Sequence, residues 1–243
     1  MTQPILFIGG MGRSGSTLIE RLLNEFPQTF AVGETVHIWE RGVRDNELCG
    51  CGDPFHQCRF WTEVGRRAFG SWTEIDTDVV IDQRWEVDRS RRLPQMVQAY
   101  RSGNLTRAQL DYLDLVGALL TAAGATAKDR TGADIIIDSS KHLSSAVLYS
   151  LDERLDVRVV HVIRDPRGVA YSYTKSVERP EATQETVTEM AKYSPARTAG
   201  RWITDNAGFT QLPRLGIPTL RVRYEDFMAD PLTTLSEIAS FGG

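Results

Sequence analysis

The run Gly9-Gly10-Met11-Gly12-Arg13-Ser14-Gly15-Ser16-Thr17 carries the strongest chemical signal in the sequence. It follows the apolar run Ile5-Leu6-Phe7-Ile8 and opens a helical pattern. A glycine-rich turn in that setting presents backbone N–H groups to an anion, and the helix N-terminus adds favourable partial charge. Against the nucleotide P-loop pattern, Gly10 and Gly15 take the two glycine positions, but the lysine position holds Ser16. The loop's cation is Arg13. Phosphoryl transfer from ATP uses that lysine and magnesium to offset charge on the phosphates. An anion less negative than a terminal phosphoryl group can be cradled by amides, hydroxyls and one guanidinium without a metal.

Other chemistry-bearing residues lie further along. In Ile135-Ile136-Ile137-Asp138-Ser139-Ser140-Lys141 an apolar run ends in an acid and a cation. In open α/β sheets the C-terminal ends of strands face the site. Lys141 there would stabilise an oxygen on which negative charge develops. Asp138 stands where a magnesium-holding Walker-B acid would, which favours a rival reading as a P-loop ATP-dependent kinase. Ser16 argues against that rival. Cys49, Cys51 and Cys58 share one short stretch with His56. Three thiolates and an imidazole would suffice for zinc, although the spacing differs from paired CxxC knuckles. Buried reduced thiols are the default reading, with a disulfide or redox pair as the other alternative.

Elements must position these residues. Ile5–Ile8, Ile135–Ile137, Val157–Ile163 and Ile217–Val222 are short apolar runs rich in β-branched residues, as in parallel strands covered on both faces. Helical spacing marks Thr17–Phe26, Leu110–Ala123, Ser144–Leu151, Arg167–Val177, Glu185–Asn206 and Thr233–Phe241. Ala31–Thr35 reads as a strand and turn beside the loop, and Thr126–Thr131 as a solvated loop. Alternating strands and helices predict an α/β fold, a P-loop-type doubly wound parallel sheet flanked by helices. One domain over 1–243 is expected, with a mostly helical insertion, an acceptor-side cap, over about 40–130. Trp39, Phe55, Phe60, Trp61, Phe69, Trp72 and Trp85 crowd that insertion. They either pack it internally or line an apolar pocket.

The formal net charge of −4 argues against a general nucleic-acid binder. No apolar run approaches a membrane span, and Met1-Thr2-Gln3-Pro4-Ile5 lacks a signal-peptide start. A cytoplasmic location is therefore expected. An odd cysteine count, 3, is poor evidence for a disulfide framework.

At Arg13-Ser14-Gly15-Ser16-Thr17 the sequence resembles the PAPS-dependent sulfotransferases, whose donor is 3′-phosphoadenosine 5′-phosphosulfate. Their 5′-phosphosulfate loop reads basic-Ser-Gly-Ser/Thr-Thr after the first strand. Their second signature is a strand ending in Arg with a Ser eight residues on. Here the strand ends at Arg164 and the serine is Ser172. Arg223-Tyr224-Glu225-Asp226-Phe227, then Asp230-Pro231 and a helix, resembles a late segment of the same family. The resemblance implies that Gly12, Arg13, Ser14, Gly15, Ser16 and Thr17 hold the phosphosulfate, and that Arg164 and Ser172 hold the 3′-phosphate. Guanidinium forks suit phosphate oxygens. It also implies O-sulfation of an acceptor hydroxyl on a small molecule, glycan, lipid or peptide, with PAP as product. Many members carry a further basic, glycine-containing loop beyond the last helix. Phe241-Gly242-Gly243 end this sequence about where that loop would begin, so either the sequence is cut short or another segment supplies those contacts. A nucleotide-binding protein of the same fold without activity is the second alternative.

The acceptor hydroxyl must lose a proton to a base within hydrogen-bond reach. Glu34, in Ala31-Val32-Gly33-Glu34-Thr35, is the first choice, because tyrosylprotein-type and several bacterial members carry a glutamate in a similar Gly-Glu context. His37 and His142 are the rivals, since cytosolic small-molecule members use histidine. With Arg13 and Lys141, Glu34 completes the expected catalytic set, with no metal.

Overall fold

In a computed structural model, residues 2–177, 179, 182 and 189–243 are described. Five parallel strands form one sheet in the order β2-β3-β1-β4-β5. They are β1 (Gln3–Gly9), β2 (Thr29–Gly33), β3 (Ile135–Lys141), β4 (Leu155–Ile163) and β5 (Thr219–Arg223). The unbroken apolar runs follow from burial on both faces. Side chains alternate between faces, so Ile5, Phe7, Ile136, Val157 and Val159 enter one core, while Leu6, Ile8, Ile137, Val160 and Val162 enter the other. The second core is closed by α1 (Ser16–Leu23), α9 (Tyr224–Ala229) and α10 (Pro231–Gly242). This is the expected P-loop-type doubly wound sheet.

Between β2 and β3 the chain is helical. A π-helical turn (Ile38–Arg44) is followed by α2 (Arg59–Phe69), α3 (Thr77–Val87), α4 (Leu93–Ser102) and α5 (Arg107–Thr131). The crowded aromatics pack with one another: Phe55 stacks on Trp61 at 5.4 Å, and Trp72 meets Trp39, Phe55 and Phe69. Trp85 is the exception, exposed beneath Arg89. α6 (Leu143–Tyr149), α7 (Pro166–Thr174) and α8 (Pro195–Phe209) complete the fold.

Several boundaries differ from the sequence expectation. Thr126–Thr131 continues α5 and ends at Gly132, a left-handed cap with φ 81°. The polar residues there mark the exposed end of a helix, not a loop. α5 is long and apolar enough to cross a membrane on length and composition, and it packs Tyr112, Leu113, Val116, Leu119 and Leu120 into the core. α7 stops at Thr174, and α8 begins at Pro195 with Ser194 as cap, its side chain accepting from Arg197 N–H. The expected helix start at Glu185 lies outside the described residues. β2 pairs with β3, not with β1, so Glu34 reaches the site from the sheet edge, one strand beyond Lys141.

Candidate active site

The loop after β1 is held from both sides. Toward β3, Gly10 N–H donates to the Lys141 carbonyl at 3.3 Å. Toward β4, the Arg164 guanidinium donates through Nη1 to the Arg13 carbonyl at 3.1 Å. Arg164, two residues before α7, is thus joined directly to the glycine-rich loop. Two tyrosines reinforce the join. A Cβ on Gly15 (φ 92°) would lie 2.3 Å from the Tyr224 ring, and Arg164 lies over that ring, 4.5 Å from its centre. A Cβ on Gly12 would lie 2.7 Å from the Tyr173 hydroxyl, and Arg13 sits 5.7 Å from that ring's centre. Gly15 is therefore required by close approach as well as by turning, while at Gly12 close approach alone favours glycine.

Three non-glycine residues among those described are left-handed: Arg13 (φ 68°), Asn46 and Lys141 (φ 68°). Such conformations cost free energy and cluster at ligand clamps. Two of the three are the expected cations. One Arg13 nitrogen, Nη2, is buried without a hydrogen-bond partner, which is costly unless an anion meets it. Ser14 and Ser16 are buried beside it and Thr17 is exposed. An unpaired guanidinium nitrogen at a glycine-rich loop suits a bound anion.

Arg164 crosses Gly168, whose Cβ would stand 3.1 Å from Nε. Ser172 lies one turn further along α7 on the same face as Gly168. Arg164, Arg167, Gly168, Tyr224 and Met228 line an open pocket of about 500 Å³. Its geometry is fixed by Trp202 Nε1–H donating to the Arg164 carbonyl at 2.9 Å and Asp165 N–H donating to Glu225 at 2.8 Å.

On the opposite flank, Lys141 Nζ donates to Glu34 and, at 3.0 Å, to the Ser139 carbonyl. Burial pushes the Glu34 carboxyl up. The Lys141 ammonium, its hydrogen bond, Arg41 and His142 outweigh burial and hold it below the usual range. His37 Nε2 lies 3.6 Å from Glu34. Burial and nearby cations push His37 down to about 2, so it is neutral at working pH and a weak base. His142 meets His37 edge-on at 6.0 Å and is also shifted down, first by burial. Of the three rivals for the base, Glu34 alone is an anion.

Asp138 is fully buried. It accepts from the Thr35 hydroxyl and, at 2.7 Å, from Ser140 N–H. Both oxygens are thereby engaged in holding the residue next to Glu34, unlike a Walker-B acid reserved for magnesium. Burial pushes its carboxyl up to about 6. The folded chain therefore keeps this proton to higher pH than the unfolded chain, and stability falls as pH rises from about 4 to about 6. Asp138→Asn has no proton to lose. It is expected to match the parent below that window and exceed it by about 1–3 kcal/mol at pH 7. Urea unfolding at both pH values checks this; a less stable variant at pH 7 would refute it.

Residues 4–243 match the sequence model of the sulfotransferase family. The chain belongs to the sulfotransferase family. Carbohydrate sulfotransferase 5 of Mus musculus is 23% identical over 264 residues, covering 95% of this chain and 62% of that protein. The chain thus spans less than two thirds of that relative's length. The solved sulfotransferase domain of the Synechococcus PCC 7002 olefin synthase aligns over 100% of this chain and 74% of its own, at 21% identity and TM-score 0.49.

In this family member the structure gathers Arg13, Ser14, Gly15, Ser16 and Arg164 at one junction, with Glu34, Lys141, His37 and His142 at the adjoining strand ends. Sequence reasoning missed Tyr173, Gly168 and Trp202, and left Tyr224 without a role although it stood in a quoted segment. It also missed Glu20 of α1, which accepts from the Ser139 hydroxyl at 2.7 Å and is pushed up by burial. Its polar type at a buried helix position was the available signal.

Proposed function

We propose that this chain is a PAPS:acceptor O-sulfotransferase working by in-line displacement with no metal in the chemical step. The observation that carries the reading is the Arg164–Arg13 hydrogen bond, with an unpaired Arg13 nitrogen in a lysine-free loop. It makes the two anion cradles neighbours, close enough to serve one nucleotide that carries phosphate at both ends. PAPS, when bound, supplies the sulfuryl group. The loop amides, Ser14, Ser16 and Arg13 would hold its phosphosulfate, and Arg164 with Ser172 its 3′-phosphate. Glu34 would take the acceptor proton at its carboxylate. Lys141 would turn its ammonium from Glu34 to the oxygen on which charge develops. The neutral His37 would keep Glu34 aimed.

The insertion begins directly after Glu34 and His37, so the acceptor is placed on that side, under the proposed cap of 40–130. The mouse relative's name makes a glycan hydroxyl the first acceptor class to test. Competition binding tests the donor reading. PAP should bind with magnesium chelated, and ATP should not displace it. Tight ATP binding that requires magnesium would favour the kinase reading instead.

Lys141 also sets a pH dependence. Glu34 must be ionised to act, so kcat/KM rises with pH through its pKa. Lys141→Met removes the charge that holds this pKa down and leaves burial to raise it. The acid limb of the profile is expected to move to higher pH. An unmoved limb in the residual activity would remove Glu34 as the titrating base.

A further inference from the structure

The three cysteines play no part in that chemistry. Their sulfur atoms all lie within 4.8 Å of one another, and Cys51 and Cys58 sulfurs are 3.6 Å apart. A tetrahedral zinc ion with Zn–S near 2.3 Å sets its sulfur ligands roughly 3.8 Å apart. The backbone is folded to converge them. Cys49 N–H donates to the Asp53 carbonyl at 2.8 Å, and Gly52 N–H donates back to the Cys49 carbonyl at 2.8 Å, with Gly52 at φ 92°. This tight turn holds Cys49 and Cys51 together. Cys58 stands at the N-cap of α2.

The imidazole of the zinc alternative is engaged elsewhere: His56 Nε2 is bonded to the Val43 carbonyl at 2.9 Å. Asp53 Oδ2 lies 3.8 Å from the Cys51 sulfur. A disulfide would use two of three converging sulfurs and leave the third without a purpose in the arrangement. We infer that Cys49, Cys51 and Cys58 bind one zinc ion through their three sulfur atoms. Binding releases the protons of the three thiols. The ion ties the turn after the π-helical segment to the head of α2, and so braces the chain that leads from Glu34 into the insertion. This site stands independently of the sulfuryl-transfer reading.

Zinc is measured by atomic emission in the whole chain, purified under reducing conditions, equilibrated with zinc chloride and dialysed. One zinc per chain is expected. Cobalt in its place should give thiolate-to-metal charge-transfer absorption and tetrahedral ligand-field bands that zinc abolishes. Cys51 is exposed, so Cys51→Ser should fold and bind zinc at least about 10-fold more weakly. Background zinc with no cobalt bands in the reduced parent protein overturns the site. So does unchanged affinity in Cys51→Ser, or a mass lowered by two hydrogens showing a disulfide in protein that never takes up metal.

Discussion

Arg164→Ala is expected to weaken PAP binding on the order of 100-fold, with magnesium chelated throughout. The guanidinium has two tasks in the structure: it donates to the Arg13 carbonyl and it lies over Tyr224 beside the open pocket. Charge-assisted hydrogen bonds to phosphate contribute about 1.5–3 kcal/mol each, so losing even one approaches two orders of magnitude. Arg13→Ala should have a comparable effect, because its buried Nη2 has no other partner. Isothermal titration of each variant with PAP checks both. If either variant bound as tightly as the parent, that arginine would not belong to the nucleotide site. Arg164→Lys separates charge from geometry: an ammonium keeps the charge, but not the fork or the stacking on Tyr224. An intermediate affinity is expected.

Glu34→Gln should leave PAP affinity within a few-fold of the parent and lower kcat by about 100- to 10,000-fold, the range for a lost general base. The amide preserves shape, and it can still accept from Lys141. It cannot take a proton from a hydroxyl. The split between binding and turnover is what distinguishes a base from a structural carboxylate: a structural role would lower PAP affinity, stability and turnover together. Full turnover in this variant would pass the role to another group, and Glu20, a second carboxylate close to Lys141 and Glu34, would be the next to test.

Local features of the site were legible in the sequence because their signals are contiguous. The loop from Gly9 to Thr17 shows its glycines, its serines and its flanking strand and helix within one short stretch. Arg164 and Ser172 are related by a fixed spacing along one strand–helix junction. What was not legible depends on contacts between distant segments. Tyr224 touches Gly15, and Trp202 fixes the Arg164 carbonyl, only because α8, α9 and the first loop meet at the same sheet end. No periodicity encodes that meeting. The order of the strands is equally silent: β2 looks like a neighbour of β1 in sequence, yet β3 lies between them. The polar end of α5 misled for another reason. Charged residues at Lys128, Asp129 and Arg130 suit both a loop and an exposed last turn, and only the left-handed Gly132 marks where the helix stops.

Arg13 and Lys141 show how backbone geometry supplies what composition cannot. Each is a long cationic residue whose backbone is held left-handed; Arg13 lies within the glycine-rich loop, and the Lys141 carbonyl accepts from Gly10 N–H of the same loop.

The most direct measurement is transfer of radiolabel from [35S]PAPS to acceptors, glycans first, by the purified parent protein and Glu34→Gln with a chelator present. Labelled acceptor in the parent reaction, with PAP formed in equal amount and almost none in the variant, is expected. PAP binding without any labelled product across glycan, phenol, lipid and peptide acceptors, or label transfer that demands magnesium, would contradict a metal-independent sulfuryl transfer at this site.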